Sequence, residues 1–325
     1  MNDFEYLAPT NVDDAVGRLG PAARAYAGGT DLLTRMRLGL DSPAVLVDLK
    51  RTDLGRTIDP DDGGWTIGAL ATLSDVEDHA ALAADHPLLA EAAGQAATRQ
   101  IRNRASVGGN LVQRPRCAYY REPVVTCWLK GGAECPARAG EHQHHAVVDS
   151  GPCIAVHPSD LAACLVAVDA SISLRADGGT RTIAADALFQ PPTEDRRRLT
   201  SERDGEVVTA VHLPPADGVH STYRKAMDRA AWAFALVGAA VVVRVVDGVT
   251  TSARIVLAGV ASTPHREVEA EAALTGRPLD AAAIAGAAGA VLASARPLPG
   301  NRYKVALARG LVTRGLHALA ADIPS

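Results

Sequence analysis

The sequence predicts a mixed α and β chain built as two domains. Three observations carry this. The chain has 325 residues, 47% of them apolar, enough to bury more than one core. Short apolar runs of strand length alternate with helical stretches ahead of residue 212. A Pro- and Gly-rich break, "HLPPADGVHS" at residues 212–221, separates them from a second run of strands and alanine-rich helices.

The elements follow in order. "NVDDAVGRLG" is a helix with Asn11 as N-cap, acids in its first turn and a glycine stop. "ARAYAGGTDLL" is a short strand that runs into a glycine pair and a helix start. "AVLVDL" is an apolar run of strand length. "GWTIGALATLSDVEDHA" is a strand turning into a helix capped near Thr72 or Ser74. "HPLLAEAAGQAATRQIRNRA" reads as one helix of good formers. Residues 111–153 are rich in Gly, His and Pro, and a loop of that length is usually functional. "IAVHPSDLAACLVAVDASISLRA" returns to strand, capped helix and alternating strand. Beyond the break, "FALVGAAVVVRVVDGVTTSARIVLAGVAS" reads as two strands around an Asp247-Gly248 turn, because glycine takes the positive-φ position. Alanine-rich helices close the chain, and no internal repeat is present.

Charge and composition exclude several functions. The net charge is −4 and aromatics make up 4%, so neither a basic field nor a base-stacking platform for nucleic acid exists. The acidic, mixed start is not a targeting peptide, and no run of 18 apolar residues suggests a membrane span. The expected location is the cytoplasm, with export bound to a signal-bearing partner as the exception.

Two double-glycine turns stand out, "AGGTDLL" at 27–33 and "SVGGNL" at 106–111. Glycine lets backbone N–H groups approach a phosphate without a Cβ in the way. Thr30 and Asn110 add side-chain donors, and Asp31 sits where a helix begins. Neither loop is G-x-G-x-x-G, so a Rossmann reading is not supported. With "TIGA" at 66–69 they suggest a dinucleotide cradle.

The chain has five cysteines. Cys117, Cys127, Cys135 and Cys153 are separated by nine, seven and seventeen residues within polar, Gly/Pro-rich loop. No C-x₂-C pair exists, so neither a zinc ribbon nor a common ferredoxin motif fits. Four thiolates from one loop suit either Zn²⁺ or a [4Fe–4S] cluster. Cys164, in "LAACLVAV", reads as a packed core thiol. His142, His144 and His145 compete as ligands but read as a solvated loop tip, and His157 as a packed or capping residue. Arg102, Arg104, Arg114 and Arg116 form either a solvated basic face or a set that offsets the charge of a diphosphate or a reduced cluster.

The pieces "AGGTDLL", "TIGALATLSDVE", "IRNRASVGGNL", "HPSDLAACLVAVDA", "YRKAMDRAAWAFALVGAA" and "NRYKVALARGLVTRGL" occur in one order over most of the chain. Together they resemble the flavoprotein (medium) subunit of the xanthine dehydrogenase family of molybdenum hydroxylases. The resemblance implies an α+β fold. Residues 1–215 would form a vanillyl-alcohol-oxidase-type (PCMH-type) FAD-binding domain of two subdomains, and 218–325 a C-terminal α+β domain of the CO dehydrogenase flavoprotein type. It implies that Ala27, Gly28, Gly29, Thr30, Asp31, Leu32 and Leu33 meet the FAD diphosphate, together with Ser106, Gly108, Gly109 and Asn110. Thr66, Ile67, Gly68, Ala69 and Arg104 join the cofactor site. Asp160 would reach the ribityl or adenosine side, and Lys225 the isoalloxazine.

"QRPRCAYYR" followed by three more cysteines resembles the branch with an extra [4Fe–4S] cluster in a loop at about 112–153. That branch includes the 4-hydroxybenzoyl-CoA reductase β subunit and the periplasmic aldehyde oxidoreductase flavin subunit. By that resemblance the ligands are Cys117, Cys127, Cys135 and Cys153. Family members often read Trp-Tyr-Phe where this chain has Ala118, Tyr119 and Tyr120. The implied role is electron transfer, with no catalytic side chain beyond the flavin. The implied partners are a large molybdopterin-binding catalytic subunit and a small subunit with two [2Fe–2S] clusters. The rival readings are a free-standing FAD oxidoreductase and a zinc-stapled scaffold.

Overall fold

The computed structural model describes residues 2–148, 151–230 and 232–323. Met1, Ala231, Pro324 and Ser325 of the two expected domain ranges, and Asp149 and Ser150 of the cysteine-bearing loop, lie outside the described residues.

The first sheet is parallel, with strands β1 (Glu5–Leu7), β2 (Ala23–Tyr26) and β3 (Val45–Asp48) in the order β1-β3-β2. Parallel neighbours need crossovers, and the helices Val12–Gly17 and Leu32–Arg37 supply them. Along β3, Val47 packs with Ala15 and Val16 of the first helix, while Leu46 packs with Leu32 and Met36 of the second. Both faces are covered, which is why β3 reads as a continuous apolar run. Asn11 caps its helix as expected, accepting from the Asp14 N–H at 2.7 Å.

The second sheet is antiparallel. Strands β4 (Ile58–Asp61), β5 (Gly64–Gly68), β6 (Ser171–Ala176), β7 (Gly179–Ala184) and β8 (Val207–Leu213) lie in the order β4-β5-β8-β6-β7. Ile67, Ile172, Leu174 and Val211 point to one core. The other face carries a polar ladder. Thr66 Oγ1 lies 3.0 Å from His212 Nδ1, and His212 Nε2 lies 2.8 Å from Ser173 Oγ. This is the two-sided alternation of a half-buried sheet.

The third sheet holds β9 (Val219–Ala226), β10 (Val237–Val246), β11 (Val249–Ala258) and β12 (His265–Arg266), in the order β12-β11-β10-β9. The hairpin turn sits at Asp247 (φ 49°) and Gly248 (φ 76°), as the sequence predicts. Val237, Ala239, Val241 and Val243 face the helices Val268–Leu274, Ala281–Ala290 and Tyr303–Asp322. Ala240 and Val242 face the other way, into a core shared with the helices Pro87–Gln95 and Asp160–Ala167. The two halves of the chain are therefore joined by one apolar interior.

Two expectations are corrected. The single helix drawn through 86–105 is two: Pro87–Gln95, then Arg99–Arg102. Ala97 turns with φ 53°, and Thr98 starts the second piece by accepting from the Ile101 N–H. Arg102 closes the break by donating to the carbonyls of Ala96 and Ala97 at 3.3 and 3.0 Å. The strand read at "IAVH" forms no ladder. Its backbone instead makes single bonds, the Ala146 N–H to Ile154 O and the His157 N–H to Ala261 O, each 3.0 Å.

Candidate functional site

The two glycine loops cross backbone to backbone. A Cβ on Gly28 would lie 1.8 Å from the Arg104 carbonyl oxygen, so only glycine allows this approach. Leu73 N–H donates to Ala105 O, Val107 N–H to Ala71 O and Gly108 N–H to Ala69 O, fixing the second loop against the end of β5. The loops differ in what they offer a ligand. In the first, the N–H groups of Gly28, Gly29, Thr30 and Asp31 donate to no acceptor among the described residues. In the second, the N–H groups of Val107, Gly108, Gly109 and Asn110 are all taken by protein oxygens. What remains there is the exposed Gly109 and the Asn110 side chain. Asn110 Oδ1 accepts from Ser159 OγH at 2.5 Å, which leaves its amide NH₂ as the free donor.

A cavity of about 190 Å³ lies between the loops, lined by residues 27–32, Ala69, Ser106 and 108–110. Leu33 is not in its wall and packs beside Gly29 and Tyr26 instead. Of "TIGA" only Ala69 reaches the cavity. Thr66 belongs to the polar face of the sheet, Ile67 is buried in the core, and Gly68 presses against the backbone of Gly55. The Arg104 side chain is exposed and lines neither cavity; only its carbonyl meets the first loop. Arg102 is likewise structural, pairing with Glu77 at 2.8 Å.

A second cavity of about 780 Å³ adjoins the first, within the roughly 300–1,000 Å³ typical of cofactor pockets. Thr30, Ala105, Asn110, Gln113 and Arg116 line both. On its wall Lys225 Nζ lies 2.7 Å from Asp160 Oδ2, with both side chains almost wholly buried. Tyr223 OH donates to Asp160 Oδ1 at 2.6 Å, and Lys225 also donates to Gln95 O at 3.0 Å. Asp160 and Lys225 thus form one unit on the wall of the larger cavity. Lys225→Met should leave the Asp160 carboxylate with the tyrosine alone. The expected result is a loss of about 3–5 kcal/mol of stability, read as a lower Tm, together with a lower flavin-to-protein absorbance ratio.

The far wall was missed by the sequence reading. It comes from the segment after β9, where Trp232 and Phe234 are 57% and 48% exposed. Arg116 sits over the Phe234 ring at 4.8 Å, and Arg229 over Trp232 at 5.3 Å. Two aromatics within "WAF", in a chain with three Trp and three Phe, were the available signal.

Asp31 is the N-cap of the helix Leu32–Arg37, but its side chain does not cap. Its carboxylate meets Arg121 at 2.7 Å and Arg116 and Arg35 at 3.1 Å each, and accepts from the Arg114 N–H at 3.1 Å. Burial pushes this carboxyl up, yet the guanidiniums of Arg116, Arg35 and Arg121 outweigh it and hold it below the usual range. Asp31 therefore ties the first glycine loop to the cysteine-bearing loop. Burial brings Arg116 down to about 10.

The four loop cysteines converge. Cys117 packs on the small core that holds the buried Cys127 and Cys153, and the Cys135 and Cys153 thiols lie close enough to perturb one another. All are free thiols. Burial raises Cys117 to about 11, while the bond from Cys153 lowers Cys135 to about 6. Among the described residues no group of three or more His, Cys, Asp or Glu side chains is arranged to hold a metal ion. The histidines divide. His142 and His144 lie towards solvent, but His145 is buried with Nε2 3.2 Å from Cys117 Sγ, which corrects the solvated-tip reading. His157 is packed, edge-on to Phe189 at 4.8 Å, and Cys164 is a core thiol.

Residues 2–216 match the family described as FAD binding domain in molybdopterin dehydrogenase. Residues 221–319 match the CO dehydrogenase flavoprotein C-terminal domain. The chain is 37% identical over 292 residues to the aldehyde oxidoreductase FAD-binding subunit PaoB of Escherichia coli (strain K12), covering 89% of each. It is 30% identical over 323 residues to the carbon monoxide dehydrogenase medium chain of Hydrogenophaga pseudoflava, covering 97% of this chain and 96% of that one. A solved carbon monoxide dehydrogenase from Hydrogenophaga pseudoflava has the same architecture, with a TM-score of 0.79 at 30% identity over 99% of each chain. The α+β fold and the flavoprotein resemblance drawn from the motifs agree with these matches. The pair of glycine loops, the cavities they open and the domain that closes them thus belong to an FAD-binding medium subunit of the molybdenum hydroxylase and CO dehydrogenase family.

Proposed function

We propose that this chain is the electron-transfer subunit of a heteromeric molybdenum hydroxylase, carrying FAD across the two joined cavities and a [4Fe–4S] cluster in the cysteine-bearing loop. The observation that carries the flavin part is the continuity of the cavities through Thr30, Asn110 and Arg116. It gives an elongated dinucleotide one path, with donors at one end and aromatic and charged walls at the other. The unpaired N–H groups of Gly28, Gly29, Thr30 and Asp31 bind the diphosphate, and the Asn110 amide adds a donor at the junction. Lys225, held by Asp160, orients the flavin end from the larger cavity. Bound FAD exchanges electrons singly or in pairs, which is the chemistry a relay needs.

Cys117, Cys127, Cys135 and Cys153 are the proposed cluster ligands. Four free thiols brought together from one loop support this, since a [4Fe–4S] cluster is held by four cysteine thiolates. The substrate is oxidised on a large molybdopterin-binding partner, and electrons arrive through a small partner with two [2Fe–2S] clusters. The names "FAD-binding subunit" and "medium chain" of the relatives support that division of labour. No helix among the described residues is long and apolar enough to cross a membrane. We place the complex in the cytoplasm unless a signal-bearing partner exports it.

Iron, acid-labile sulfide, zinc and flavin counts on the anaerobically purified complex test this. The expected result is about four irons and four sulfides per FAD, with the iron lost in Cys117→Ser and the flavin kept. Flavin without iron or sulfide would sink the cluster and leave the flavin subunit. Zinc without flavin would sink both.

A further inference from the structure

We propose that His145 is a positioning residue for the cluster, its Nε2–H donating a hydrogen bond to the sulfur of Cys117. This rests on the cluster reading above and extends it to a side chain that ligates nothing.

The ring's Nε2 lies 3.2 Å from Cys117 Sγ. The ring is 6% exposed, and its other nitrogen, Nδ1, has no partner. Burying an imidazole with one unpaired nitrogen is unfavourable, so the surroundings of the ring hold it there. A metal-bound thiolate carries no proton and can only accept, so the bond requires the tautomer with hydrogen on Nε2.

The ring is aimed by the C-terminal domain. Asn301, fully buried, donates from Nδ2 to the carbonyls of His145 and Ala146 at 3.3 and 2.9 Å. Lys304, also fully buried, bridges His144 O at 3.1 Å and Gly259 O at 2.7 Å. On the cysteine side, Cys117 immediately precedes the short helix Ala118–Arg121, and the Tyr119 ring lies 6.1 Å from the imidazole. His142 is occupied elsewhere, accepting from the Gly300 N–H at 3.0 Å. Hydrogen bonds to ligand sulfurs stabilise the more negative, reduced cluster and so raise its potential. His145 is then the donor by which the second domain acts on a cluster carried by the first.

The test is an EPR-monitored redox titration of the [4Fe–4S] signal in the anaerobically purified complex, for wild type, His145→Leu and His145→Gln. We expect His145→Leu to keep its iron and flavin but to titrate at a lower potential. His145→Gln, which retains an N–H donor, should return towards wild type. A cluster-bearing His145→Leu protein at the wild-type potential would overturn this inference alone. If His145→Leu loses its iron, ENDOR of the reduced wild-type cluster labelled with ¹⁵N-histidine decides. A coupled histidine nitrogen supports the bond, and its absence overturns it. Wild-type protein without iron or sulfide would overturn the cluster reading and this inference together.

Discussion

Replacing Gly28 by alanine should strip the protein of FAD and lower its stability by about 1–3 kcal/mol, the usual cost of overpacking a filled site. The new methyl would sit 1.8 Å from the Arg104 carbonyl oxygen and 3.3 Å from Ala105 Cα. Both are backbone atoms, so no rotamer change relieves the clash. One loop must move, and either movement deforms the cavity between them. The effect on the cofactor should exceed the effect on folding, since the free N–H groups of the first loop are spaced by the same contact. Flavin absorbance per protein and a thermal melt, taken together, check both halves. An alanine variant that retains its full flavin would remove this loop from the binding site.

Asp31→Asn is expected to have the second large effect, and to reach two places at once. It leaves Arg116, Arg121 and Arg35 side by side without their shared carboxylate. Removing one member of a buried charge pair typically costs about 3–5 kcal/mol. Because Asp31 joins the glycine loop to the cysteine-bearing loop, both flavin and iron content should fall, whereas Cys117→Ser should lower iron alone. The pH dependence has a definite sign. The folded-state pKa of Asp31 lies below its unfolded value, so its contribution is fully present above about pH 4 and is lost as the pH falls through the lowered folded value. Wild-type Tm should therefore drop on acidification in that window more steeply than the Tm of Asp31→Asn. Equal slopes would mean that the carboxylate is not held by the arginines in solution.

Parts of this were legible in advance because they depend on neighbours in sequence. The Asn11 cap, the helix start near Thr72 and the Asp247-Gly248 hairpin are set by local donors and by φ preferences. Other readings failed where a distant partner decided the outcome. The helix through 86–105 has good formers throughout, but Lys225 takes the carbonyl of Gln95 and Arg102 takes those of Ala96 and Ala97. Thr66, Ile67 and Gly68 follow the motif, yet the pleat of β5 turns them to the polar ladder, the core and Gly55.

The same division runs through the site. The fold class, the order of the motifs, the two glycine loops and the four-cysteine segment are all readable from the chain alone. Residue type and short spacing are enough for those. What each group does depends on how the chain folds around it. Tertiary structure consumed the N–H groups of the second loop and freed those of the first, because hydrogen-bond partners come from strands and turns far along the chain. It made Asp31, which sits where a helix begins, the clasp between two loops. It paired Asp160 with Lys225, 65 residues apart, because an isolated charge could not be buried at that wall. It also set His145 against Cys117 through contacts from the last helix, a relation that no spacing in the chain encodes.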